Sequence, residues 1–397
     1  MIKEYISYLL SLESKGIKLG LENTEQLLEA CSNPQSQFKS IQVIGTNGKG
    51  STSAMIANIL KEAGYIVGLY TSPHLNKINE RIRVNGQAIS DSEIIKFIDH
   101  YQKSIDSLNT SFFETITAIA VWYFARKKVD IAILETGLGG RLDSVTACNA
   151  DLLVCTSISK DHQHILGDSV EEIAYEKICA LKKGMTCISW NHTSSIKDIF
   201  KEYSQSINAK IKYVKSNIDK KNVSLNGAHQ FDNETLAKAA IKELVDFNIS
   251  ITDIKKGLST VIWPGRIQKI NVNPNVYFDV AHNEESFKSL CNFSNRIKGK
   301  KILILALQKN KNIKSVISEI KSTFDAIIIT QTNVRNFMPS LELSALFDSN
   351  KVKVIINTQK AIRNYKKIKK SDNIIIAGSH YLGTEISKEF KISFDNI

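Results

Sequence analysis

Short β-branched runs alternate with helical periodicity along most of this chain, and no other feature of the sequence limits its fold so much. A strand is expected over 40–44 and a helix over 49–63, with Met55, Ile56, Ile59 and Leu60 on one face and Gly64 as its stop. Further strands follow at 65–70, 129–135, 151–156 and 185–190, with helices at 113–127, 170–182 and 229–247. Alternation of this kind argues for a mainly parallel sheet covered on both faces. The punctuation Trp263-Pro264-Gly265-Arg266 suits a domain junction. Beyond it a second series begins, with strands near 276–280, 301–307, 326–330, 352–356 and 373–377. A chain of 397 residues exceeds one ordinary core, so two α/β domains are expected, 1–263 and 264–397.

Several classes are excluded early. The longest apolar runs, such as 302–307, are far shorter than a bilayer span. The first residues carry Glu4 and place Ile2, Tyr5, Ile6, Leu9 and Leu10 at amphipathic-helix spacing, which is not the pattern of a signal peptide. The six cysteines form no CxxC pair and read as buried thiols in a reducing cytosol. The net charge of +12 invites a polyanionic partner, against the plainer reading of a lysine-rich surface on a protein that handles small anions. Lysine-rich stretches at 209–221 and 366–370 are read as exposed faces.

Three motifs carry chemistry. Gly45-Thr46-Asn47-Gly48-Lys49-Gly50-Ser51 follows a strand and opens a helix, so its backbone amides and lysine form a phosphate cradle. Gly50 stands where a phosphate loop usually has its magnesium-binding hydroxyl, which must then come from elsewhere. Ser72 and Glu135 each end a strand on the sheet edge where ligands of parallel sheets bind, and suit magnesium. The third motif is Asp161-His162-Gln163-His164 with Glu176-Lys177 on the next helix. A lysine near a metal makes sense if it is neutral, pairs with phosphate, or has become a carbamate.

These motifs, in this order, resemble the folylpolyglutamate synthase/dihydrofolate synthase branch of the Mur ligase superfamily nearly end to end. The resemblance runs from 17–22 through GTNGKGS, YTSPHL, Asn79-Glu80-Arg81-Ile82, Phe113-Glu114 and ETGLGGRLD to Asp161-His162, Leu166-Gly167 and Glu176-Lys177. It continues through Ala228-His229-Gln230, Asn233, Trp263-Pro264-Gly265-Arg266, Asp279-Val280-Ala281-His282-Asn283 and Ala377-Gly378-Ser379. It implies a Mur ligase-like α/β fold, with a P-loop-type, mainly parallel ATPase domain and a smaller Rossmann-like C-terminal domain. It also implies a ligase that uses ATP to activate a pteroate or folate carboxylate and joins L-glutamate to it. Thr46, Asn47, Gly48, Lys49, Gly50, Ser51, Asn233, Arg266 and Asp279 would bind ATP. Ser72 and Glu135 would hold one magnesium ion, and His162 a second together with Lys177, which is carbamylated in such enzymes. The implied catalytic residues are Lys49, His282 and the carbamylated Lys177. His282 and Ser379 would contact glutamate. The pteroate pocket maps onto Gly16, Ile17, Lys18, Leu19, Ser111, Phe112, Phe113, Glu114, Leu142, Asp143 and Ser144. A monovalent cation is allowed for, neither nucleic acid nor membrane is expected as a partner, and a cytoplasmic monomer is the usual form.

The chain departs from the family pattern at Ser144-Val145-Thr146, at Val280 and at Asn310-Lys311-Asn312. None of these removes a metal or phosphate group, so an active enzyme is expected. Competing readings are a peptidoglycan-precursor ligase, a small-molecule kinase and a basic nucleic-acid-dependent ATPase. Of the many basic residues only Lys49, Arg266 and Arg141 are expected to act in the site.

Overall fold

The computed structural model describes residues 2–16, 18–215, 223–332, 336–348 and 350–397, so Ile17 and positions 216–221 of the lysine-rich stretch 209–221 lie outside the described residues. Two sheets form. The first comprises β1 (Lys39–Ile44), β2 (Val67–Tyr70), β3 (Ile82–Val84), β4 (Gln87–Ala88), β5 (Ile131–Glu135), β6 (Leu152–Cys155), β7 (Thr186–Trp190) and β8 (Lys210–Val214). Their order is β4-β3-β2-β5-β1-β6-β7-β8. Only the β2–β3–β4 edge is antiparallel. The second comprises β9 (Gln268–Val272), β10 (Asn275–Phe278), β11 (Lys301–Leu305), β12 (Ala326–Gln331), β13 (Val352–Asn357) and β14 (Asn373–Ala377). Their order is β13-β12-β11-β14-β10-β9, antiparallel only at β9.

The expected strands are all present, and the additions follow a rule. β3 and β4 span three and two residues, too short for a period-two signal. β8 and β9 are edge strands whose residues are mostly exposed or half-buried. The second lobe therefore has six strands rather than five. The helix expected over 170–182 stops at Ile178, and that over 229–247 runs Gln230–Glu243. The helix Asp91–Ser107 was not expected, although its Ser-Asp-Ser-Glu start, with the Ser90 hydroxyl as cap, and its buried Ile94, Phe97, Ile98 and Ile105 are a readable signal. No helix among the described residues is long and apolar enough to cross a membrane.

Each sheet buries both faces, as parallel sheets do. In the first lobe, the helix Lys49–Glu62 packs Met55, Ile56, Ile59 and Leu60 with Leu236, Ala237 and Leu258 on one face. Phe97, Ile116, Ile119 and Phe124 cover much of the other. β1 contributes the buried Gln42, whose Nε2 donates to Thr136 Oγ1 (3.0 Å) and Thr146 Oγ1 (2.8 Å). Thr146 in turn donates to Gly140 O at 2.7 Å. One departure from the family pattern thus ties the 136–146 loop to the central strand.

The lobes are joined twice. The chain passes between them at 261–267, and residues 394–397 return to the first lobe. Ala88 N donates to Asp395 O, Ile397 N to Gly86 O, and Arg83 Nη2 to Phe394 O. Phe394 itself packs on Phe278 of the second core.

Candidate active site

The turn after β1 has Gly45 at φ 136° and Gly48 at φ 89°, conformations that favour glycine. Gly48 lies against the Asn233 side chain, so a β-carbon there would collide with it. Gly50 faces the Trp263 indole, whose Nε1 would lie 2.8 Å from a β-carbon. That contact leaves little room for a side chain at position 50. The signal is invisible locally, because Trp263 is far away in sequence.

Lys49 Nζ donates to Gly45 O and Thr46 O, each at 3.1 Å. Burial lowers its pKa, against the charges of Glu135 and Asp161. Glu135 ends β5 at 4% exposure, and its Oε2 accepts Ser72 N at 3.1 Å. Burial raises its carboxyl, opposed first by Lys49. Lys177 is 5% exposed and donates to Gly45 O at 2.8 Å. Burial, then the charge of Lys49, pushes its amine down to about 7. Gly140 admits no β-carbon against the Lys177 carbonyl, so the Gly-Leu-Gly-Gly loop seats this helix directly.

The second lobe faces these groups across a cleft. Asp279 accepts Ile267 N and Ala281 N, each at 2.7 Å, which fixes the turn carrying Arg266 and His282. Burial raises the Asp279 carboxyl and lowers Arg266, and each opposes the other's shift. His282 Nδ1 lies 2.8 Å from Val280 O, so Val280 serves this turn through its backbone. Asp161 is the junction between lobes. Lys311 Nζ donates to it at 2.8 Å, and His282 Nε2 lies 3.6 Å away. Burial would raise its carboxyl, but His282 and Lys311 outweigh that and hold it far below the usual range. Glu285 makes a second bridge, accepting from Asn47 Nδ2 and from Ser159 Oγ at 2.8 Å.

All nucleotide, metal and catalytic candidates line this one cleft: Thr46 to Ser51, Ser72, Glu135, His162, Lys177, Asn233, Arg266, Asp279 and His282. The pteroate candidates lie outside its walls. Phe113 packs over Gly137, and Asp143 accepts Leu138 N at 2.8 Å, so both flank the 137–138 turn. Asp143 is pushed up to about 6 by burial. Ser111 and Glu114 form a reciprocal cap that begins the helix at Phe112. Leu142 is half-buried and Ser144 buried. Lys18 reaches Asn109 O just before this cap, Gly16 sits at φ 73°, and Leu19 is exposed. Ser379 lies behind His380, its hydroxyl accepting Tyr381 N. Arg141 is a correction: it pairs with Glu176 at 2.8 Å on the surface and does not reach the cleft. Asp161 opened the third motif and Lys311 stood in a departure from the family pattern, but neither was given a role, and Glu285 and His380 were not singled out.

Residues 43–252 match the Mur ligase middle domain, and residues 265–380 match the Mur ligase glutamate ligase domain. The dihydrofolate synthase/folylpolyglutamate synthase of Bacillus subtilis is 33% identical, over 95% of this chain and 96% of its own. The chain belongs to this family. Its Escherichia coli member is 31% identical over 82% of this chain and 80% of its own. E. coli FolC solved with DHPP and ADP superposes with a TM-score of 0.88 at 28% identity, covering 98% of this chain and 97% of that one. The bifunctional synthase of Yersinia pestis, solved with AMPPNP and Mn, gives 0.87 at 26% identity over 98% of each chain. As a member of the folylpolyglutamate/dihydrofolate synthase family, the protein is an ATP-dependent glutamate ligase. The peptidoglycan, kinase and nucleic-acid readings are not favoured.

Proposed function

We propose that the protein joins L-glutamate to the carboxylate of dihydropteroate, of a reduced folate, or of both, with ATP as phosphoryl donor and magnesium as the divalent ion. The observation that carries this reading is the meeting of Lys49, Glu135 and Lys177 with Arg266, Asp279 and His282 in one cleft. Relatives solved with ADP, or with AMPPNP and Mn, support it. A carboxylate oxygen attacks the γ-phosphorus and the bond to ADP breaks, which leaves an acyl phosphate. The glutamate amine, having lost a proton, attacks the acyl carbon and phosphate departs. The protein's part is positioning and charge neutralisation. Lys49 and the amides of 46–51 receive the phosphates, while Arg266 and His282 face them from the other lobe.

Glu135 with Ser72 fits magnesium. The carboxylate is buried with one backbone donor, and no three His, Cys, Asp or Glu side chains gather as a metal group among the described residues. An ion there would complete its shell with water and phosphate oxygens, as magnesium prefers, and would neutralise phosphate charge. His162 and Lys177 do not fit a second ion while Lys177 is an amine. Its Nζ is a donor, and Lys311 Nζ lies 3.5 Å from His162 Nε2. They fit once Lys177 is a carbamate, formed when the neutral amine adds carbon dioxide and releases a proton. No monovalent-cation site is assigned. The reading divides the chain at 263/264 and takes it as a monomer in the cytosol, in keeping with six unpaired, buried cysteines.

Magnesium-dependent ADP release is expected only when a pteroyl acceptor and L-glutamate are both present. Release driven by DNA or RNA and indifferent to glutamate would sink the proposal. Supplying dihydropteroate and a reduced folate separately decides between the two acceptors. Glu135→Gln should keep the fold and shift the magnesium requirement upward at least tenfold. A wild-type magnesium titration in that variant would discard Glu135 as a ligand.

A further inference from the structure

Arg81 is 8% exposed and has no carboxylate within ion-pair distance among the described residues. Its Nε donates to His74 Nδ1 at 3.0 Å, and the guanidinium carbon lies 5.2 Å from the centre of the Phe112 ring. Nη1 and Nη2 have no protein acceptor among the described residues. A buried guanidinium is costly unless an anion meets it, and the planar fork suits a carboxylate. His74 holds one edge of the group through Nδ1. It accepts the Nε hydrogen and leaves the terminal nitrogens unengaged.

The place is equally telling. His74, which accepts from Arg81 Nε, lines a recess with Ser72, Glu135, Arg266 and His380, where both lobes meet. Phe112 opens the helix of the acceptor candidates Ser111 to Glu114. We propose that Arg81 is a substrate-carboxylate anchor, gripping through Nη1 and Nη2 a carboxylate of the incoming amino acid or of the pteroyl acceptor. The assignment rests on the glutamate-ligase reading.

The test measures Arg81→Gln and Arg81→Lys at saturating ATP. L-glutamate is varied at fixed acceptor in one arm, and acceptor at fixed L-glutamate in the other. The KM of one carboxylate substrate should rise ~10- to 100-fold in Arg81→Gln and less in Arg81→Lys, with the KM for ATP within about twofold of wild type. The arm that responds names the source of the carboxylate. Unchanged KM values in both arms, a loss confined to kcat, or failure of both variants to fold would overturn the assignment. Wild-type protein that ligates no glutamate would overturn the ligase reading itself.

Discussion

Lys177→Met is expected to yield a protein that is more stable than wild type and inactive. The drop of the Lys177 amine from 10.5 to about 7 by burial corresponds to ~5 kcal/mol at most against the folded state. The folded pKa is the lower one, so this penalty is full below pH 7 and fades as pH rises toward the unfolded value. Methionine fills similar volume without a charge. It gives up only the hydrogen bond to Gly45 O, roughly 1 kcal/mol. In bicarbonate-free buffer at pH 6 the variant should therefore be ~2–4 kcal/mol more stable in urea titration, and the difference should shrink by pH 9. Activity should fall at least a thousandfold if the carbamate is needed, and Lys177→Ala should recover part of it with short carboxylates. Retained turnover, or lower stability at pH 6, would show that Lys177 is an ordinary structural lysine.

Asp161→Ala acts in the opposite direction. It strips Lys311, whose side chain is 8% exposed, of its carboxylate. Removing one member of such a pair leaves a charge in a low-dielectric site, at a cost of about 3 kcal/mol. The second lobe loses its Lys311, His282 and Asn283 contacts to the first at one position. Stability should fall by that amount and ligation by two orders of magnitude or more. Asp161→Ala/Lys311→Met should recover most of the stability but not the activity. Because the Asp161 carboxyl is held below its unfolded value, its contribution is full above about pH 4 and is lost only in stronger acid. A double variant no more stable than Asp161→Ala would mean that the ion pair is not what holds the lobes.

The parts of the site that the sequence showed are those set by position along a strand. Lys49, Ser72 and Glu135 each sit at or just beyond the carboxyl end of a parallel strand, and strand ends are readable from apolar runs. What it hid depends on contacts across hundreds of residues. Trp263 against Gly50, Lys311 against Asp161 and Glu285 against Asn47 leave no periodic trace near either partner. Two departures became intelligible for the same reason: Thr146 braces a loop and Val280 works through its carbonyl, while in the third the retained Lys311 crosses between lobes. β8 and β9 were hidden by their own exposure, since an edge strand with polar residues on both faces looks like loop.

The return of residues 394–397 to the β3–β4 hairpin bears on how the cleft can work. A body fastened to another at one point swivels in every direction, whereas fastening at two separated points leaves chiefly rotation about the line between them. Here the points are the 261–267 passage and the 394–397 pairing, and the reacting groups lie off that line. Opening then resembles a door on two pins: Arg266 lies in one of them, while the Lys311–Asp161 and Glu285–Asn47 contacts must part.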